Sequence, residues 1–507
     1  MPFTFSPPTV ATSGAVHHGA AAMRNVDVTT RAIGALQDAL DGAEPYERLL
    51  LKAAAGAGKS FALRRLVHEA ISHPDVSRVG VTAFANKQVF PLAAALGKEL
   101  GASRVCLAVA PERLKDLPAG LSDVCTVAVT TKEVPGDAEV ILGTTHKLQG
   151  TTPWLLKELG PAANGDRFFD VLFVDEAWQL PLHRYRRIDR FAPLVVGVGD
   201  VGQLPPLDSS HNPWRGDARY NPYRAWPTAY EADERTWAAE LPAVWRPTAR
   251  QLGLWRAFYS DWESLDCVAA EGDRSIELGH GGLGDVARTV WDQVATGTPT
   301  LLEIADLADP EAPDVDLPLM NQLETLLNEL IASSFAVRQA VYDQHGMPNG
   351  ETMEATVTTP GSDPLIVVLA TRNQAVDDAQ DVVDRLVAKH DLPDGVLIAS
   401  TVDSWQGQTN GITVAIHPLS GADALDEFNS SFGRLAVTCT RATHGLLLLS
   451  RAGLDDLLAL APARPGTPLG EPGNRQLPRQ THQRILATFA RGVVSAFETG
   501  VAEETYG

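Results

Sequence analysis

Cysteine is scarce in this sequence, and no two cysteines stand close together. Cys106, Cys125, Cys267 and Cys439 are the four among 507 residues. That spacing excludes the paired-cysteine patterns of structural zinc and of dithiol redox motifs. It also argues against a disulfide framework and predicts a cytoplasmic setting. Long apolar runs are missing, so no membrane span is expected. The opening residues, MPFTFSPPTVATSGAVHHGAAAMRN, have no basic stretch leading into an apolar one. Residues 1–24 read as a disordered tail rather than a signal peptide. Positive charge is in deficit: 42 Lys and Arg against 63 Asp and Glu leave a net charge of −21. A general positive field that coats nucleic acid is therefore excluded, and any phosphate contact must come from individually placed residues. Between Thr289 and Val337 there is no Lys or Arg, while Glu303, Asp306, Asp309, Glu311, Asp314 and Asp316 gather there. That stretch reads as a solvated acidic face. No repeat of short fixed period is present.

What is there is ordinary globular composition, 44% apolar and 21% charged, in a chain long enough for several cores. Short apolar runs alternate with helical patterns from about Asn25 to Asp208. The expected strands are Leu49–Leu51, Val79–Thr82, Val140–Leu142, Val171–Val174 and Leu194–Val198. A second set follows at Leu365–Ala370, Val396–Ser400, Gly411–Ile416 and Gly445–Ser450. Continuous apolar strands separated by helices predict an α/β fold in two tandem domains, each a parallel sheet flanked by helices with ligand loops at the strand C-termini.

The first apolar run leads into Ala53-Ala54-Ala55-Gly56-Ala57-Gly58-Lys59-Ser60, then into the helical Phe61-Ala62-Leu63-Arg64. Strand, small-residue loop, Gly-Lys-Ser and helix make the layout of a P-loop, although Ala53 stands where Gly is usual. Backbone N–H groups of Ala55, Gly56, Ala57 and Gly58 and the helix N-terminus would cradle polyphosphate. Lys59 would reach the β- and γ-phosphates and Ser60 would ligate Mg²⁺. A second apolar strand delivers Asp175-Glu176-Ala177-Trp178-Gln179. There Asp175 would hold Mg²⁺, and Glu176 would orient and deprotonate an attacking water. A third ends in Gly199-Asp200-Val201-Gly202-Gln203-Leu204-Pro205-Pro206. The Gln203 amide carries donor and acceptor together, suited to γ-phosphate and water at once.

The order of these motifs resembles the superfamily 1 helicases, most closely the branch typified by the RNA helicase of nonsense-mediated decay. That branch shares Asp-Glu-Ala-x-Gln at Asp175 and Gly-Asp-x-x-Gln-Leu-Pro-Pro at Gly199. Further segments match in order. Val81–Asn86 resembles motif Ia, Gly143–Leu148 motif Ic, and Trp245-Arg246-Pro247 the Tyr-Arg-x-x-Pro segment. Leu369–Gln374 resembles motif IV, Thr401–Gly407 motif V, and Ala436–Ala442 motif VI. The resemblance covers roughly residues 25–452 and implies two RecA-like P-loop domains. ATP or another NTP and Mg²⁺ would be the cofactors, and single-stranded DNA or RNA the track, with movement 5′-to-3′ and the protein a monomer.

It further implies that Arg246 and Arg441 meet the γ-phosphate, that Trp245 stacks on the base, and that Gly407 lies in the nucleotide site. Thr82, Asn86, Thr144, Thr145, Arg372 and Thr401 would hold the sugar-phosphate backbone. The chain also departs from the pattern. Thr409 and Gly411 stand where motif V usually carries Glu and Asp, and Thr29 falls where an adenine-reading Gln is expected. The basic run His183–Arg190 reads as a solvated helix face.

The expected division is a tail over 1–24 and a first RecA-like domain over 25–225. A second domain spans 226–455, with an acidic irregular insertion at about 270–360. A Pro-rich linker (456–480) and a C-terminal helix (481–507) that packs back or binds a protein partner complete the chain. Two rival readings are an ATPase, stimulated by nucleic acid, that remodels a nucleoprotein complex without unwinding duplex, and a non-enzymatic scaffold.

Overall fold

The computed structural model describes residues 3–10, 14–163, 165–202, 206, 221–260, 262, 264–312, 314–426, 429–461 and 478–497. Two compact units are present among them. One is residues 24–242; the other combines the residues before 24 with 243–461 and 478–497.

The first unit is built on eight strands: β1 (Arg48–Ala53), β2 (Val79–Ala83), β3 (Val105–Ala108), β4 (Thr126–Ala128), β5 (Val140–Thr144), β6 (Val171–Asp175), β7 (Leu194–Gly199) and β8 (Thr236–Leu241). They form one sheet in the order β4-β3-β5-β2-β6-β7-β1-β8. Every pairing is parallel, for example Leu49 opposite Val196 and Trp237. The central strands are buried along their whole length. Such burial explains why their sequences are unbroken apolar runs rather than alternating ones. Helices Lys59–Ser72 and Asn86–Leu100 pack on this sheet. The core beneath it holds Phe168, Phe169, Phe173, Tyr185 and Trp226, all essentially closed to solvent. The rings of Tyr185 and Trp226 stack at 4.0 Å. In the basic run, Tyr185 and Ile188 are buried in this core while Arg184, Arg186, Arg187 and Arg190 are exposed; the helix covers only Leu182–Tyr185, so the solvated arginines lie mostly on the turn after it.

The second unit adds β9 (Ala243–Val244), β10 (Asp266–Cys267), β11 (Arg274–Glu277), β12 (Thr300–Ala305), β13 (Ala336–Tyr342), β14 (Pro348–Thr356), β15 (Ile366–Ala370), β16 (Leu397–Thr401), β17 (Asn410–Ile416), β18 (Ala442–Arg451) and β19 (Ala490–Ser495). Six of these make a second parallel sheet, β16-β15-β17-β18-β12-β19. A three-stranded antiparallel sheet, β11-β13-β14, and the short pair β10-β9 accompany it. Two α/β domains of the RecA-like kind, each a parallel sheet flanked by helices, are therefore present in tandem.

Three local expectations need correction. Residues before 24 are not a loose tail where described: Ser6 bridges to Arg491, Phe5 lies against Gly492, and a helix begins at His18. The C-terminal helix ends at Leu486, and the residues after it form β19 against β12, because Ile485, Phe489 and Ala490 are needed in the core. The acidic stretch is neither irregular nor merely solvated. Glu303 is buried, accepts from Gly453 N and Leu454 N, and pairs with Arg491 at 2.7 Å. Asp316 caps the helix Leu317–Ala332 and pairs with Arg451 at 2.7 Å. Most of the expected Pro-rich linker lies outside the described residues. Among those described, no helix is long and apolar enough to cross a membrane.

Candidate active site

Parallel strands bring all their carboxyl ends to one edge of a sheet, which is where ligand loops gather. In the first unit that edge carries the turn after β1, the carboxylates at the end of β6 and Asp200 after β7. The turn after β1 closes through Ala57 N donating to Ala54 O at 3.0 Å. Gly56 and Gly58 have φ of 75° and 90°, in the left-handed region that a side chain would strain. Asn25, buried on the helix His18–Leu40, donates its Nδ2 to Ala57 O at 2.9 Å and braces the loop from behind. No local pattern marks Asn25 for that role. The helix Lys59–Ser72 then starts with its N-terminal N–H groups toward the loop and Ser60 exposed.

Lys59 Nζ bonds Glu176 Oε1 and lies 3.6 Å from Asp175 Oδ1. Both carboxylates are buried. Burial works against the charge on Lys59, but Asp175, Glu176 and Asp200 outweigh it and raise its pKa. Asp175 is itself pushed above the usual carboxylate range, by burial first and by neighbouring Glu176, against the pull of Lys59. Glu176 has φ of 51°, a left-handed conformation costly for a residue with a Cβ and held here by the surrounding turn. Asp175 Oδ1 and Glu176 Oε2 are buried without a hydrogen-bond partner. Such oxygens suit a hard cation and a positioned water. Among the described residues no group of three or more His, Cys, Asp or Glu side chains could hold a metal alone. A hard cation held at Asp175 would need oxygen ligands beyond the acidic side chains there.

Other expected residues divide into those near an open edge and those turned inward. Gln203 lies outside the described residues. Asn86 opens the helix after β2 and is half-buried. Thr144 caps the helix Thr145–Leu159 by accepting from Lys147 N at 3.3 Å. Thr82 and Thr145 are buried, their hydroxyls 3.3 Å apart, and Thr145 Oγ1 also donates to Ala83 O. These two hydroxyls tie β2 to the neighbouring helix start. Thr29, at the place of the adenine-reading Gln, is buried and donates to Asn25 O at 2.8 Å.

In the second unit, Trp245 is packed with Ala21, Ala22, Ala243 and Val268, its ring edge-on to Tyr342 at 6.3 Å. It packs against that small core and stays partly exposed. Arg246 donates from Nε to Thr409 Oγ1 and from Nη1 to the Thr440 carbonyl, both at 3.1 Å. Arg441 is wholly buried and donates to Val437 O at 3.1 Å and Thr440 Oγ1 at 2.9 Å. Thr440 thus touches both arginines. Gly407 is exposed with φ of 83°. Thr401, at the carboxyl end of β16, accepts from Ser404 N at 3.0 Å. Arg372, after β15, pairs with Asp314 of the acidic stretch. Arg274 on β11 was not foreseen: it donates into the Trp245, Arg246, Pro247 and Thr443 carbonyls.

No family model matches this sequence, and no curated protein does. Among solved structures the chain is similar to the PRRSV helicase, with 14% identity, a TM-score of 0.37, and coverage of 82% of this chain and 56% of that one. It is also similar to Arterivirus nonstructural protein 10, a helicase, in complex with DNA: 14% identity, TM-score 0.38, 84% of this chain and 64% of that one. A second structure of the Arterivirus protein gives 14%, 0.38, 84% and 63%. The chain spans less than two-thirds of the length of each.

Proposed function

We propose that this chain is an NTP-driven motor on single-stranded nucleic acid, a superfamily 1 helicase or translocase. The observation that carries the reading is the cluster of Lys59, Asp175 and Glu176 at the mouth of the turn after β1, with two buried carboxylate oxygens left unsatisfied. The loop N–H groups and helix N-terminus bind the triphosphate, and Lys59 neutralises its outer phosphates. Ser60 and Asp175 would hold Mg²⁺, which supplies charge neutralisation of the phosphate oxygens. Glu176 orients a water and accepts its proton as the water oxygen bonds the γ-phosphorus. The γ–β bridging bond breaks and its electron pair leaves on the nucleoside diphosphate. Arg246 and Arg441 are proposed as donors to the γ-phosphate. Asn86, Thr144, Arg372 and Thr401, at strand ends, are the proposed backbone contacts. Movement 5′-to-3′ and preference for ATP belong to the same proposal and follow the branch resemblance.

The test pairs phosphate release with strand displacement, on DNA and RNA duplexes carrying a 5′ or a 3′ single-stranded tail. Hydrolysis stimulated by single strands, displacement from 5′-tailed substrates, and loss of both in Lys59→Ala and Glu176→Gln are expected. Stimulated hydrolysis without displacement on any substrate would leave a remodelling ATPase. No hydrolysis with any strand would refute the proposal.

A further inference from the structure

The segment that carries Arg246 is held from two sides. On one side, the Thr409 hydroxyl accepts from Arg246 Nε at 3.1 Å. The Thr440 carbonyl accepts from Nη1 at the same distance, so two acceptors fix the plane of the guanidinium. Because the fork is rigid, fixing two of its nitrogens fixes the direction of the rest. On the other side, Arg274 spreads across the backbone of the segment. Its Nη1 donates to Arg246 O, to Pro247 O at 3.0 Å and to Thr443 O at 3.3 Å, and its Nη2 to Trp245 O at 2.7 Å. Three consecutive carbonyls, Trp245 to Pro247, are thereby tied to the start of β18 through one side chain. Arg274 gives these hydrogen bonds to carbonyl oxygens, with Asp273 near enough to add its charge. Thr409 is neutral. A carboxylate at 409 would pair with Arg246 as an ion, whereas the Thr409 hydroxyl aims the guanidinium through a neutral acceptor.

We propose that Thr409 and Arg274 are positioning residues for Arg246, the first setting the plane of its side chain and the second the backbone from which it extends. This rests on the proposed part of Arg246 in nucleotide hydrolysis. The experiment measures steady-state phosphate release with a saturating single-stranded oligonucleotide, over a range of nucleotide concentration, with thermal unfolding of each variant. Thr409→Val, which keeps shape and loses the acceptor, is expected to lower kcat about 10- to 100-fold with KM nearly unchanged. Its unfolding temperature should match the wild type, and Thr409→Ser should restore the rate. Combining Thr409→Val with Arg246→Ala should cost nothing beyond Arg246→Ala alone, since both act through one guanidinium. Arg274→Lys, which cannot span the same carbonyls, should lower kcat in the same manner; if it does not fold, the Thr409 series still decides. Wild-type kcat in Thr409→Val beside an inactive Arg246→Ala would overturn this proposal and leave the motor reading standing, as would losses that multiply in the double variant. Full turnover in Arg246→Ala, with Lys59→Ala inactive, would remove the role of Arg246 and this proposal with it.

Discussion

Lys59→Met tests the electrostatics of the site before any nucleotide is added. The side chains of Asp175 and Glu176 are only 7% and 6% exposed, and Lys59, at 18%, lies against both. Removing the ammonium leaves two adjacent buried carboxylates, each already holding an oxygen with no hydrogen-bond partner. Breaking a buried ion pair by deleting one member costs about 3–5 kcal/mol. The partial exposure of Lys59 places the expected loss near the low end, about 3 kcal/mol. Part of that loss is recoverable by protonation. Asp175 is raised by burial and by Glu176 while Lys59 pulls it down, so deleting Lys59 raises it further. An acid whose folded pKa lies above its unfolded value stabilises the fold below that unfolded value and loses the contribution as pH rises through the folded one. The deficit of Lys59→Met is therefore largest at about pH 8 and shrinks toward about pH 5, by about 1.4 kcal/mol per unit of further rise. Hydrogen exchange of β1 and β6 amides across a urea series, at both pH values, confines the readout to the unit that carries the site. Wild-type protection at both pH values, or a deficit that grows on acidification, would refute this reasoning.

Glu176→Gln should bind nucleotide as the wild type does and lose turnover by about 10²- to 10⁴-fold, checked by equilibrium binding beside phosphate release. Trp291→Ala should destabilise its unit by about 3–5 kcal/mol in a urea titration. Its ring is wholly buried, and its Nε1 donates to Leu326 O at 3.0 Å. Gly97→Ala should lower the unfolding temperature, at a cost of about 1–3 kcal/mol, because a Cβ there would lie 2.0 Å from the Val124 carbonyl oxygen and the backbone must shift.

The strands that position chemistry were legible because they are buried on both faces. Leu49–Leu51, Val171–Val174 and Leu194–Val198 are unbroken apolar runs, and each sits inside a strand of the sheet. β12 was missed because Glu303 and a run of acids surround it; its partners, Arg491 and the Gly453 and Leu454 N–H groups, come from 150 or more residues away. β19 was missed because Phe489 and Val493 are four apart, which reads equally as a helical face, and only pairing with β12 decides between the two. At the site, the Gly-Lys-Ser turn and the two carboxylates were readable from local spacing. Asn25, Arg274 and the contact of Thr409 with Arg246 were not, because each joins residues distant in the chain and none has a local pattern. Thr82 and Thr145 show the converse: a matching motif position does not tell whether a hydroxyl faces a ligand or its neighbour.

The most direct measurement is calorimetric binding of a non-hydrolysable nucleoside triphosphate, with Mg²⁺ and then with excess chelator, to the wild type and to Lys59→Met and Asp175→Asn. Saturable one-to-one binding that needs the cation, is lost in Lys59→Met and is weakened in Asp175→Asn is predicted. Undiminished binding in both variants, or no binding by the wild type, would contradict a polyphosphate site at the turn after β1.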